Sequence, residues 1–143
     1  MQRLALALFG AVILAGCATT PTPIAQAKMA PPSRVSAFQE RADAASATLA
    51  LTRDQGFLGS GCYYAFWINS VLAARLDVGE TASFFLSPGE HLLKVGRDPL
   101  GQGLCGADSD NWTQRETILR PNEKKHFRLS IDEGGKLDIQ RSE

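Results

Sequence analysis

From Ala47 to the end of the chain, apolar and polar residues alternate over short stretches broken by Gly, Pro, Asn and Asp. A period of two with such punctuation belongs to half-buried β-strands. The clearest stretch is HFRLSI, where Phe127, Leu129 and Ile131 share one face and His126, Arg128 and Ser130 the other. The pattern predicts strands at about 47–53, 62–69, 71–77, 81–86, 90–96, 113–119, 124–131 and 136–140. Asn69-Ser70, Ser87-Pro88-Gly89-Glu90 and Glu133-Gly134-Gly135 put turn-competent residues between apolar runs and read as tight hairpin turns. About eight strands without a strong helix among them predict an all-β fold, an antiparallel sandwich of about 7–8 strands or a small barrel.

Upstream of Ala47 the pattern is different. Residues 18–34, ATTPTPIAQAKMAPPSR, hold four of the seven prolines and almost no bulky apolar residue, which predicts a disordered tether. Residues 35–46 are alanine-rich, and Ser36 three before Gln39 has capping-box spacing, which predicts a short helix. At the start of the chain Arg3 precedes an unbroken run of apolar or small residues, Leu4 to Leu14. That run has the length of a signal-peptide core and is too short to span a bilayer, which takes roughly 17–25 residues. Leu14-Ala15-Gly16-Cys17, which follows, resembles the lipobox of bacterial lipoproteins. The resemblance implies cleavage before Cys17, a diacylglycerol on its sulfur, and palmitate or another acyl chain on the new amino terminus. Alanine rather than aspartate at position 18 resembles lipoproteins of the outer membrane, facing the periplasm. The expected organisation is a leader over 1–16, the lipidated Cys17 with its tether over 17–46, and a sandwich domain over 47–143.

If every strand crosses the domain, successive loops fall alternately at its two ends, whatever the strand order. One end collects residues 54–61, 78–80, 97–112 and 132–135, and the other the turns at 69–70, 87–89 and 120–123. A tether entering at the second end would point the long-loop end away from the membrane. Cys62 and Cys105 both fall at the long-loop end. They are the only cysteines besides Cys17, and an even pair in an oxidising compartment reads as a disulfide. The same end carries the candidate partner-binding loop, Asp54, Phe57, Leu58 and Ser60, because apolar residues in a loop point to a contact. The simpler explanation for Phe57 and Leu58 is a plug closing the end of the core.

Charge narrows the choice of function. The leader carries Arg3, one of fifteen basic residues, so fourteen remain against fifteen acidic ones. No basic patch invites nucleic acid. GQGLCG at 101–106 spells G-x-G-x-x-G, but that fingerprint works only between a strand and a helix of a parallel βαβ unit, and ADSDNW follows it. Asp108 and Asp110 start like a calcium loop, but Thr113 stands where the glycine belongs and Leu119 where the glutamate belongs. The acidic residues near this end, Asp54, Asp77, Glu80, Asp98, Asp132 and Glu133, read as solvated turn residues with Arg53 and Arg97 available to pair. His91 and His126 are lone histidines on strands, without a nucleophile elbow. No catalytic residue, cofactor or metal is expected, and the chain reads as a non-enzyme.

The segments TRDQGFLGSGCYYAFWIN, GETASFFLSPGEHLLKV and RETILRPNEKKHFRLSI, with the paired cysteines and the P-G-E-H turn, resemble a family of small uncharacterised proteobacterial lipoproteins carrying a domain of unknown function. The proline-glycine turns are similar to those of PEGA-type sandwich modules, which implies an immunoglobulin-like sandwich. Two functions are weighed. The first is a non-catalytic binding or structural module of the envelope, held to the membrane by its lipid and touching an envelope protein or cell-wall partner. The second is a periplasmic inhibitor of lysozyme or another hydrolase. It is suggested by Ser60-Gly61-Cys62-Tyr63-Tyr64, which resembles the S-G-x-x-Y element of membrane-bound lysozyme inhibitors, although their second element is missing.

Overall fold

The computed structural model describes residues 18–107 and 109–142; Cys17 and the leader before it lie outside the described residues. Nine strands run in the order β1 (Lys28–Met29), β2 (Ala47–Arg53), β3 (Tyr64–Ile68), β4 (Val71–Leu76), β5 (Glu80–Leu86), β6 (Gly89–Arg97), β7 (Trp112–Leu119), β8 (Lys124–Ile131) and β9 (Leu137–Ser142). They make two sheets, five-stranded in the order β1-β5-β2-β8-β9 and four-stranded in the order β4-β3-β6-β7. The eight expected strands are β2 to β9, with bounds within two residues of the expected ones.

The alternation that predicts the strands also fills the space between the sheets. Leu49 and Leu51 of β2, Ala82, Phe84 and Leu86 of β5, Phe127, Leu129 and Ile131 of β8, and Leu137 and Ile139 of β9 are all buried. They meet Tyr64, Phe66 and Ile68 of β3, Leu76 of β4, Leu93 and Val95 of β6 and Leu119 of β7 in one cluster. Phe66 and Phe84 touch across the two sheets with ring centroids 5.3 Å apart. Each such side chain contributes roughly 1.5–3 kcal/mol by leaving water.

The pairing is mixed rather than antiparallel throughout. β2 runs parallel to β8, with Leu51 beside Phe127, and β1 runs parallel to β5. Both β2 and β8 start from the tight-turn end, so once adjacent they have no other choice. Ser87-Pro88-Gly89 is a corner and not a hairpin turn, because β5 and β6 lie in different sheets. Asn69-Ser70 is a tight hairpin turn, with φ of 49° and 68°, both in the left-handed region that two-residue loops between twisted strands demand.

The larger correction concerns residues 18–46, which lie along the sandwich instead of standing off it as a tether. The Thr19 amide donates to the Ile131 carbonyl at 2.9 Å, and Thr20 bridges Gln55. Lys28–Met29 adds an edge strand to β5, Val35 bridges Ala74 of β4, and the Phe38 carbonyl accepts the Phe85 amide at 2.8 Å. Finally the Ala45 carbonyl accepts the Asn122 amide at 3.0 Å. The strap therefore runs from the long-loop end to the tight-turn end and covers the open side between β5 and β4. Residues 35–46 contain no helix; a three-residue 3-10 turn at Pro32–Arg34 precedes them, and the Ser36 hydroxyl donates to the Leu72 carbonyl at 2.8 Å rather than capping anything. A proline-rich composition does signal that no regular element forms alone. It says nothing of whether the segment finds partners elsewhere in the chain.

Candidate functional site

The long loops at 54–63, 77–79, 98–111 and 132–136 gather at one end, and Arg53 organises them. As the last residue of β2 it continues the inward series 47, 49, 51, so the strand aims its guanidinium into the end of the core. There Nη1 donates to the carbonyls of Cys62 at 2.6 Å and Leu76 at 2.8 Å, Nη2 donates to that of Gly59 at 2.7 Å, and the group lies 4.5 Å from the Tyr64 ring centroid. Burial pulls its pKa from 12.5 down to about 10, so it is still cationic at neutral pH. Gly59 has φ +70°, and a Cβ there would stand 2.7 Å from the Tyr64 hydroxyl, so the loop closes over Tyr64 only with glycine at this position.

The Cys62–Cys105 disulfide then joins this loop to residues 98–111, with Cα atoms 5.3 Å apart. Asp98 holds the root of that second loop. Its carboxylate accepts from Arg75 Nε at 2.7 Å and from the Leu100 amide at 2.9 Å. Burial pushes the Asp98 pKa up, but the Arg75 and Leu100 hydrogen bonds outweigh it and leave the group below its ordinary value. Asp54 is bound by Arg128 through both carboxylate oxygens, and Glu80 by Arg34 at 2.6 and 2.7 Å. Three of the acidic residues read as solvated turn charges are thus tied to arginines from other elements, and Arg53, expected to pair with them, serves carbonyl oxygens.

The four residues of the candidate loop part company. Asp54 is buried in its ion pair and also accepts the Thr22 amide at 3.3 Å, so it has no face left for a partner. Leu58 packs on the core and is the plug. Ser60 is exposed, and Phe57 is 85% exposed at the tip of a loop whose base is fixed. Across the disulfide Leu104 is 87% exposed and Leu100 63%. In the S-G-x-x-Y element Tyr64 is only 2% exposed, so the element is split between the surface and the core.

The remaining motifs have structural roles. Gly101 of GQGLCG packs so closely that a Cβ would stand 2.5 Å from the Cys105 carbonyl oxygen, and the loop runs on into a strand, β7, rather than a helix. Asp108 lies outside the described residues. His91 has both ring nitrogens engaged. Because the Leu92 amide must donate to Asn69 Oδ1, the Asn69 nitrogen faces His91 Nδ1 at 2.9 Å, leaving Nε2 to carry the proton donated to the Ser87 carbonyl at 2.8 Å. His126 Nε2 heads a relay through the Thr52 and Thr81 hydroxyls to the Leu51 carbonyl. Burial first, then nearby Arg128, holds its pKa below 6.5.

One surface feature escaped the sequence reading. On the outer face of the four-stranded sheet Lys94 Nζ lies 5.3 Å from the Trp67 ring centroid and 4.8 Å from that of Trp112. A shallow groove of ≈ 320 Å³ lies beside Trp67 against Pro99 and Gly101. The outward parity of Trp67, Lys94 and Trp112 was the available signal, but the pairing of β3, β6 and β7 was needed to bring them side by side. Among known proteins, no family model and no curated protein matches the chain.

Proposed function

We propose that the chain is a lipid-anchored protein of the bacterial envelope, held by Cys17 to the outer membrane and facing the periplasm, whose sandwich is a non-catalytic binding or structural module. The observation that carries the contact role is the pair of stapled loops. Arg53, Asp98 and the disulfide fix their bases while Phe57, Leu100 and Leu104 stand out in solvent, and the core does not use these side chains. An apolar tip on a fixed frame loses little entropy when it meets a partner, which favours a contact role over a defect of packing. The leader and Leu14-Ala15-Gly16-Cys17 support the anchor. In this reading the chain joins the uncharacterised lipoprotein family that it resembles, and its sandwich is immunoglobulin-like in the loose sense of two facing sheets with loops collected at each end.

Both histidines serve the fold through the bonds described above, which supports a role without turnover. The inhibitor reading draws on Ser60 and Gly61 alone, since Tyr64 is committed to the core. Metabolic labelling with palmitate and cell fractionation test the proposal: the natural chain should take up label and sediment with the outer membrane, and Cys17→Ser should do neither. Unlabelled, freely released natural protein would overturn the anchor. A lysozyme assay with the mature protein should give uninhibited lysis at micromolar concentration.

A further inference from the structure

We infer that the stapled end of the sandwich rests on the bilayer that carries Cys17, with Phe57, Leu100 and Leu104 as its lipid contacts. The inference rests on the anchor reading and names the partner of the same loops. Its first support is the path of the strap. Thr19 is bonded to Ile131, Thr20 bridges Gln55, and Thr19 packs so closely on Gly56 that a Cβ there would stand 2.8 Å from its methyl group. Gly56 directly precedes Phe57, and Cys17 directly precedes Ala18. The first described residues, Ala18 to Thr20, are therefore held at the long-loop end, and on the anchor reading the lipid joins the chain one residue before them. A free linker of residues 18–34 would instead have let the domain stand roughly 20–25 Å off the headgroups.

The second support is where the apolar side chains are. The described residues expose eight large apolar side chains, of which Ile24, Phe57, Leu100 and Leu104 lie in turns of this end and Trp112 starts the strand that leaves it. The turns of the other end, Asn69-Ser70 and Arg120-Pro121-Asn122-Glu123, carry none. Met29, Val71 and Ile118, also exposed, belong to strands, and Val71, at 48%, is the one that starts a strand at the tight-turn end. The third support is charge. Asp54, Glu80 and Asp98 are neutralised by arginines, which removes three carboxylates from the face turned to lipid. Asp77, Asp110, Asp132 and Glu133 against Lys28 and Lys136 leave no basic excess, so the contact is apolar and does not depend on anionic headgroups. An envelope protein or cell-wall partner is then left the sheet faces and the tight-turn end.

The test is photocrosslinking of the full chain in bacterial cells, with p-benzoylphenylalanine replacing Phe57 or Leu104, or Asn122 at the other end as control, and with palmitate labelling of the same samples. Phospholipid adducts at 57 and 104 should exceed those at 122 by at least about tenfold, with no loss at high salt. Two surface positions keep the result readable if one variant folds poorly. In acylated protein, equal adducts at all three positions, or protein adducts replacing lipid at 57 and 104, overturn the inference while the anchor stands. Lipid adducts at 57 and 104 in protein without acyl label uphold the surface and sink the anchor. Neither label nor adduct overturns both.

Discussion

At the tight-turn end of the sandwich, conformation is set by a few backbone angles: Asn69, Ser70 and Asn122 all have positive φ, and the Arg120 amide donates to the Glu123 carboxylate three residues on at 2.7 Å. At the long-loop end, partners are far apart in sequence. Arg128 reaches Asp54 across 74 positions, Arg34 reaches Glu80 across 46, Arg75 reaches Asp98 across 23, and the disulfide joins residues 43 apart. One end is ordered mainly by local turn geometry, with neutral hydrogen bonds such as Asn69 to the Leu92 amide reaching further, and the other by buried charge and a covalent link. Loops of glycine-rich composition are thus as firmly placed as the turns, and what they present to solvent is presented on a fixed frame.

The largest loss of order at the long-loop end is expected from Arg53. Arg53→Met keeps the apolar stem but leaves the carbonyl oxygens of Gly59, Cys62 and Leu76 without their donor. Each buried acceptor so stranded costs about 1–3 kcal/mol, so a loss of about 3–5 kcal/mol is expected in urea denaturation. A midpoint unchanged from the natural protein would show that charge does not hold this end. The disulfide comes next. Closing a 43-residue separation should contribute about 2–4 kcal/mol, lost in Cys62→Ser with Cys105→Ser and equally on reduction of the natural protein. If reduction leaves the thermal transition in place, the ion pairs alone suffice.

The contrast between the ends also decides what could be read from the sequence. Phe127, Leu129 and Ile131 announce their strand within six residues, and Asn69-Ser70 announces its turn within two, because the physics in both cases is local. Loop parity was enough to bring Cys62 and Cys105 to one end. The parallel pairing of β2 with β8 was not legible, since periodicity says which face is buried and not which strand lies alongside. The strap was misread for a related reason. Thr19, Thr22 and Arg34 are ordinary polar residues in a proline-rich run, and their partners Ile131, Asp54 and Glu80 become visible only in the folded chain. Arg53 was legible in part: its place in the inward series follows from 47, 49 and 51, but an arginine among acidic loop residues invites a carboxylate partner, and its actual partners are carbonyl oxygens fixed by the fold.

A local prediction probes the tight-turn end. Asn69→Ala puts a Cβ-bearing residue without a side-chain acceptor at φ +49° and removes the bond to the Leu92 amide, which should cost about 1–2 kcal/mol in urea denaturation. Acid should then separate the ends by site. Asp98 has a folded-state pKa below its ordinary 3.8, so its contribution is complete above that value and is lost as pH falls through the lower one. His126 has a pKa below 6.5 when folded, so the unfolded chain takes up its proton first and stability starts to decline as pH drops past 6.5. Hydrogen-exchange protection, taken relative to the intrinsic rate at each pH, should fall at the Leu100 amide, which donates to Asp98, before it does at the amides of the 69–70 turn.

The smallest expected effect carries the most information about function. Phe57→Ser removes a ring that is 85% exposed, so urea denaturation should register a change within about 0.5 kcal/mol. Leu58→Ser, one residue on, removes a side chain packed on the core and should cost about 2 kcal/mol or more. Were the two substitutions equally damaging, Phe57 would be part of the plug and the apolar tips would need no further explanation. If only Leu58 matters to stability, the fold has no use for Phe57, and its ring, presented on a frame fixed by a disulfide and a buried arginine, is left free for the contact proposed above.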